Sequence, residues 1–414
     1  MRILWVKGGK LLPVDTGGKI RSYNILKQLA RSHVVTLLSY YGGPRDVNYE
    51  SAIAAEFPRV HTMHTGALDG SFLMQLVDYL SRMFQAAPFA VSKFTDPGVR
   101  ARLASWLRED NFDVAVCDFL SASQNFPHNP AVPCVLFQHN VETALWRRLA
   151  STESNLARRV AYKVEARKME RYETAALRRF PRVIAVSEHD REQMLQMNPG
   201  GQVTVVPTGV DTHAFVVAEH KETNSPKIVF TGSMDWEPNI DAVSYFCREV
   251  FPAIRADFHS VMFQIVGRNP HGKVKRLASD SVQVTGTVPS VADYLRDATV
   301  VVVPLRIGGG TRLKIFEAMA MGKALVSTSI GAEGLDVQSG RDLLLADDPK
   351  SFIDAILLLL RNGELRRKYE EAAVKVASQH DWSRIAERFT SVLEAAVRDC
   401  ESSSRASPLR LRET

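Results

Sequence analysis

The chain has 414 residues, 45% hydrophobic and 24% charged, an ordinary globular balance that predicts two domains rather than one. No run reaches the length of a spanning helix, and the N-terminal MRILWVKGG is too short an apolar run for a secretory signal. Four scattered cysteines without a C-x-x-C spacing, and no Asp-x-Asp or His-rich ligand pattern, speak against a disulfide scaffold or a metal site, so a cytoplasmic, reduced, metal-free protein is expected.

The net charge of +6 is unevenly placed: residues 1–210 hold 26 Lys and Arg against 19 Asp and Glu, and the remainder 26 against 27. An anionic partner for the first half, nucleic acid or lipid headgroups, is the expectation.

In chain order, Arg2–Val6 reads as a strand, and residues 15–31 (DTGGKIRSYNILKQLAR) as a glycine turn entering a helix with Ile20, Tyr23, Leu26 and Ala30 in phase. Residues 33–39 form the next strand. This alternation predicts a parallel sheet with helices on both faces and ligands at the carboxyl ends of strands. Gly17 and Gly18 lie at such an end, although a lone glycine pair is usually only a turn. Arg21 either helps hold that loop or is a solvated helix side chain.

Residues 113–119 (DVAVCDF) and 134–143 (CVLFQHNVET) read as strands delivering Asp118 and His139 to the crevice. Asp118 either orients a ligand or caps a helix. A single His in such a place is more often structural, and Glu142 reads as a first-turn acid.

Trp146–Arg182 holds eleven Lys and Arg against four Glu, with Leu156, Val160, Val164, Met169, Tyr172 and Ala176 in helical register, and reads as one basic amphipathic helix. With the apolar stretch Ser71–Phe94 it suits an anionic membrane surface. The alternative is that one packs on the sheet and the other shows a solvated face. Few aromatic platforms stand among the basic residues, which argues against nucleic acid.

Residues 182–195 predict a strand and a helix capped at Ser187; the polar run 220–227 predicts a linker ending near Pro226. The second half opens with a strand at 227–234 carrying Gly232 and Ser233, followed by a helix. Residues 263–270 form a further strand with a glycine exit, placing Arg268 within reach of a phosphate or base. The valine run 299–304 then delivers Pro304–Met321 (PLRIGGGTRLKIFEAMAM), a glycine loop and helix before another apolar run at 324–328.

Successive glycines let the backbone approach a ligand, and the free amides of a helix start suit a phosphate. Thr311 is the expected N-cap and Gly322 the stop. Arg312 and Lys314 put positive charge where the helix dipole disfavours it, which an anion would offset. Glu317, one turn on, is placed for ribose hydroxyls. The plainer alternative is a tight turn with Lys314 and Glu317 as a surface pair. Farther on, 350–378 reads as a helical pair and 381–399 as an amphipathic helix.

Pro304–Gly322 resembles the donor-binding segment of GT-B glycosyltransferases, in particular the retaining family 4, or group 1, and its GGGTRLK-type branch. Residues 203–212 (VTVVPTGVDT) resemble that family's V-x-P-N-G-V-D signature with Thr208 in place of Asn. The resemblance covers nearly the whole chain, most strongly at 304–322.

It implies an α/β GT-B fold of two Rossmann-like, doubly wound parallel-sheet domains facing a central cleft. The expected division is 1–208 for the acceptor, 209–380 for the nucleotide sugar, 381–400 for a helix crossing back with Trp382 as anchor, and 401–414 for a disordered tail. The implied enzyme is a metal-independent hexosyltransferase with no cofactor, only a nucleotide-diphosphate sugar as co-substrate. Its implied acceptor is a lipid-linked or polysaccharide precursor of the cell envelope or exopolysaccharide, met at the inner face of the membrane through 146–182.

The resemblance also assigns residues. Gly17, Gly18, Gly232, Ser233, Gly309, Gly310, Thr311, Arg312 and Lys314 meet the donor phosphates. Glu317 holds the ribose, Arg268 reaches phosphate or base, and Thr287 and Val288 meet the base. His139 lies beside the transferred sugar and acceptor, with Asp118 on the acceptor. Gly309 stands where many members carry a second glutamate, and Ser233 and Asn239 replace family cations, so Arg312 and Lys314 are expected to supply that charge. A GT-B sugar-nucleotide epimerase or a catalytically weak nucleotide-sugar-binding subunit are the alternatives.

Overall fold

The computed structural model describes residues 1–65, 81, 85–109, 112–217, 225–307 and 312–405. The chain divides into two compact units, one of Met1–Pro207 with the C-terminal helix from Ile385, the other Thr208–Arg384.

The first unit is built on seven parallel strands: β1 (Arg2–Gly8), β2 (Val34–Tyr41), β3 (Val60–His64), β4 (Val114–Asp118), β5 (Cys134–Phe137), β6 (Arg182–Ala185) and β7 (Val203–Val205). Their order is β3-β2-β1-β4-β5-β6-β7. The central strands are apolar runs (ILWV, VAVC, CVLF) buried throughout, as a sheet covered on both faces requires. The order reverses between β1 and β4, so the crevice opens where Lys7 and Asp118 end their strands. The short, half-exposed β3 has no counterpart in the sequence reading.

The basic stretch is two helices, Glu142–Thr152 and Leu156–Arg179, not the single helix expected. Asn155 starts the second by accepting from the Arg158 amide at 3.1 Å. The apolar register also divides: Leu156, Val160 and Val164 are 65%, 54% and 42% exposed, whereas Met169 and Ala176 are buried. Most of 71–94 lies outside the described residues; those from 85 on include a short helix at Phe89–Ser92. The C-terminal helix, Trp382–Arg405, stacks Phe389 on Trp5. It continues past residue 400, where a disordered tail was expected, and 406–414 lie outside the described residues.

The second unit has six parallel strands: β8 (Lys227–Thr231), β9 (Met262–Val266), β10 (Val282–Gly286), β11 (Val300–Val303), β12 (Leu325–Ser327) and β13 (Leu344–Leu345). Their order, β10-β9-β8-β11-β12-β13, puts the reversal between β8 and β11, the strands that deliver Gly232 and Pro304. The following helix, Leu313–Ala320, is closed by Gly322 at φ +66°. Its N-cap is Arg312, in the left-handed region at φ +54°, so Arg312 precedes the first turn instead of belonging to it. Gly309, Gly310 and Thr311, the last the expected cap, lie outside the described residues.

Candidate active site

In the first unit, side-chain alternation along β1 puts Trp5 and Lys7 on one face, and both reach Asp118 on the neighbouring strand. Trp5 Nε1 donates to Asp118 Oδ2 at 3.0 Å, and Lys7 Nζ lies 3.2 Å from the same oxygen. The other oxygen, Oδ1, is 2.7 Å from His139 Nε2. Arg21 Nη1 stands 2.8 Å from His139 Nδ1.

Arginine only donates, so Nδ1 must accept and the imidazole proton sits on Nε2, directed at Asp118. His139 is therefore neutral, and burial pushes it down to about 3 despite Asp118. Burial alone would raise Asp118, but Lys7 and His139 outweigh it and hold the carboxyl below its usual range. Burial lowers Arg21 to about 10; its Nε has no hydrogen-bond partner among the described residues.

The His139 ring stacks on Phe119 with centroids 3.8 Å apart, and Phe119 itself adopts φ +73°. Gly18 makes that placement possible, since a Cβ there would lie 2.4 Å from Phe119 Cζ.

In the second unit, Lys314 projects from the first turn of its helix towards the end of β8. Its Nζ donates to Asn239 Oδ1 at 2.9 Å and lies 4.1 Å from the Phe230 ring centroid. Asn239 in turn donates to the Ser233 carbonyl at 2.8 Å. Gly232 leaves room for this: a Cβ there would stand 2.9 Å from Lys314 Nζ and 2.7 Å from Asn239 Nδ2. Arg268 Nε donates to Ser233 Oγ at 3.0 Å.

Lys314 thus turns to Asn239 and not to its helical neighbour Glu317. Burial pushes the ammonium down to about 7, partly opposed by Glu317. Burial likewise pushes the Glu317 carboxyl up to about 7 against the pull of Lys314. Among the described residues no carboxylate lies within ion-pair distance of Lys314, and the Glu317 carboxylate has no hydrogen-bond partner. A half-buried cation and acid with both pKa values moved towards neutrality form the electrostatic pattern that is common at ligand sites.

Gly232, Ser233, Asn239, Arg268 and Lys314 come together here, with Glu317 one turn along. Arg312, expected to face the phosphates, is buried and paired with Glu333 at 3.2 Å. Thr287 and Val288 follow β10, two strands from β8; Thr287 is exposed and Val288 packs on the core. Lys7 and Trp5 escaped sequence reasoning. The available signal for Lys7 was a lysine two residues after Trp5 near the end of an otherwise apolar strand.

Two doubly wound parallel-sheet units, each gathering polar side chains at the reversal of its strand order, define the GT-B architecture of glycosyltransferases. Residues 16–214 match the family model Glycosyltransferase Family 4, and residues 225–362 match Glycosyl transferases group 1. The phosphatidyl-myo-inositol mannosyltransferase of Mycobacterium leprae is 25% identical over 312 residues, 73% of this chain and 78% of that one. Among solved structures, sucrose-phosphate synthase of Thermosynechococcus elongatus aligns with a TM-score of 0.69 at 16% identity, covering 96% of this chain and 100% of that one. The Anabaena protein HepE in complex with UDP and glucose aligns with a TM-score of 0.63 at 15% identity, covering 95% and 100%. The chain belongs to the group 1 glycosyltransferases.

Proposed function

We propose that the enzyme transfers a sugar, with retention at the anomeric carbon, from a nucleotide-diphosphate sugar to a lipid-linked or polysaccharide-precursor acceptor in cell-envelope or exopolysaccharide synthesis. The observation that carries the donor half is Lys314 held at the Gly232 turn beside Glu317, whose carboxylate has no hydrogen-bond partner among the described residues. Lys314, with Ser233 and Arg268, meets the diphosphate and offsets the charge that grows on it as it leaves. Glu317 accepts from the ribose hydroxyls. The name of the mycobacterial relative and the UDP and glucose bound to HepE support these substrate classes.

In the other half, His139 lies at the reacting centre with Asp118 behind it. Both ring nitrogens are engaged, so His139 takes no proton and serves as a fixed wall beside the sugar and acceptor. The acceptor hydroxyl attacks the anomeric carbon, the bond to the diphosphate breaks, and the hydroxyl proton passes to a departing phosphate oxygen.

Replacing Glu317 by Ala should raise the donor KM about tenfold or more, the cost of losing hydrogen bonds to an ionised acceptor. Nucleoside diphosphate release with a panel of UDP-, GDP- and TDP-sugars reads this directly. A folded variant with unchanged kinetics removes Glu317 from the ribose.

For the acceptor half, no helix among the described residues is long and apolar enough to cross a membrane. The exposed Leu156, Val160 and Val164, flanked by Arg158, Arg159 and Lys163, suit peripheral contact with anionic lipid on the cytoplasmic face. Reversing the charge of Arg158, Arg159 and Lys163 together should abolish most sedimentation with phosphatidylglycerol vesicles at low salt. Unchanged sedimentation would end the membrane assignment and leave the chemistry intact.

A further inference from the structure

Between β5 and the helix Glu142–Thr152 the chain must hold His139 so that its ring meets Asp118 on one side and Arg21 on the other. The helix that begins there has no side-chain cap of its own, since its N-cap position is Val141. Its first amides are met by a residue from another helix. Glu173, fully buried on Leu156–Arg179, accepts from the Glu142 amide at 2.9 Å and the Thr143 amide at 2.8 Å. It also accepts from Thr143 Oγ1 and from Gln138 Nε2, each at 2.5 Å. Gln138 Nε2 donates to the Asn140 carbonyl as well, at 3.1 Å.

One carboxylate therefore binds the chain on both sides of His139, at 138 and at 142–143. A buried carboxylate is costly unless it is met by donors, and four donors at the positive end of a helix meet that condition. Such an arrangement holds one conformation. An amide in its place would point an N–H2 at groups that also donate, and the loop would have to shift.

We propose that Glu173 is a positioning residue for glycosyl transfer: it clasps the 138–143 turn and so holds His139 in the single orientation shared by Asp118 and Arg21. This rests on the reading of His139 as the group at the reacting centre. Glu173 meets neither substrate. Its effect on the reaction passes through the backbone that carries the imidazole.

The test compares Glu173→Gln, Thr143→Val and His139→Gln in the full-length protein. Thr143→Val removes one of the four hydrogen bonds and keeps the carboxylate. Glu173→Gln should lower kcat for transfer about tenfold or more, because small misplacements of a positioned group carry costs of this order, with the donor KM within about twofold. Proton–nitrogen correlation spectra of the imidazole should show the His139 proton on Nε2 alone in the wild type and divided between both nitrogens in Glu173→Gln. Thr143→Val should show the same change in smaller measure, and it carries the test if Glu173→Gln fails to fold. A folded Glu173→Gln with full transfer, or with the proton still on Nε2 alone, overturns the proposal. Low transfer in His139→Gln beside full transfer in Glu173→Gln overturns the clasp only. Full transfer in both overturns the assignment of His139 as well.

Discussion

Lys314→Ala should weaken binding of the cognate nucleoside diphosphate by about ten- to a hundredfold, the range of a charged hydrogen bond, and leave the nucleoside without phosphates untouched. The side chain has few competing roles. Among the described residues its polar partner is Asn239, and the Phe230 ring beneath it tolerates a neutral replacement. Calorimetry with nucleotide and nucleoside side by side isolates the phosphate contribution. Equal losses for both, or none for the nucleotide, would place the diphosphate elsewhere.

The same residue gives binding a pH signature. Lys314 titrates at about 7 in the free protein, and a diphosphate binds its protonated form, so binding takes up a proton. Affinity should fall as pH rises above 7. Glu317, pushed up to about 7, must lose its proton before it accepts from ribose, so affinity should also fall below 7. The nucleotide is expected to show a maximum near neutrality, and Lys314→Ala to lose the alkaline limb. The nucleoside should show the acid limb only.

Asp118→Asn should strongly destabilise the first unit. Asp118 is fully buried and the Lys7 side chain is 3% exposed, so the variant leaves an ammonium buried without its counter-charge. It also sets an amide against two further donors, Trp5 Nε1 and His139 Nε2. Breaking a buried ion pair by removing one partner costs about 3–5 kcal/mol, a large share of the stability of an ordinary domain. Thermal melts should show an early transition for Asp118→Asn, and much of the loss should return in Lys7→Met/Asp118→Leu, where no charge remains to be buried. A single variant with a wild-type melt would mean that Lys7 is already neutral in the fold.

These two expectations draw unequally on what could be read from the chain. The donor corner was largely legible, because glycine turns after apolar strands and the helix carrying Lys314 and Glu317 are local patterns. Even there, the spacing of Lys314 and Glu317 left a surface pair open, and the structure sends Lys314 to Asn239, on another helix. The basic stretch at 146–182 reads as continuous because residue spacing alone does not register a break. The break has its own local cause, the Asn155 cap.

By itself the sequence determined the alternation of strands and helices, the two parallel sheets, and the ends of strands at which Asp118, His139, Gly232 and Pro304 emerge. Those features follow from hydrophobic period and backbone freedom over a few residues. Which buried charges meet was decided only by tertiary structure. Lys7 finds Asp118 because β1 pairs with β4, and Glu173 finds the His139 turn because two helices fold back on one another. Strand order and helix packing bring together residues far apart in the chain, and no local period records which of them will face each other.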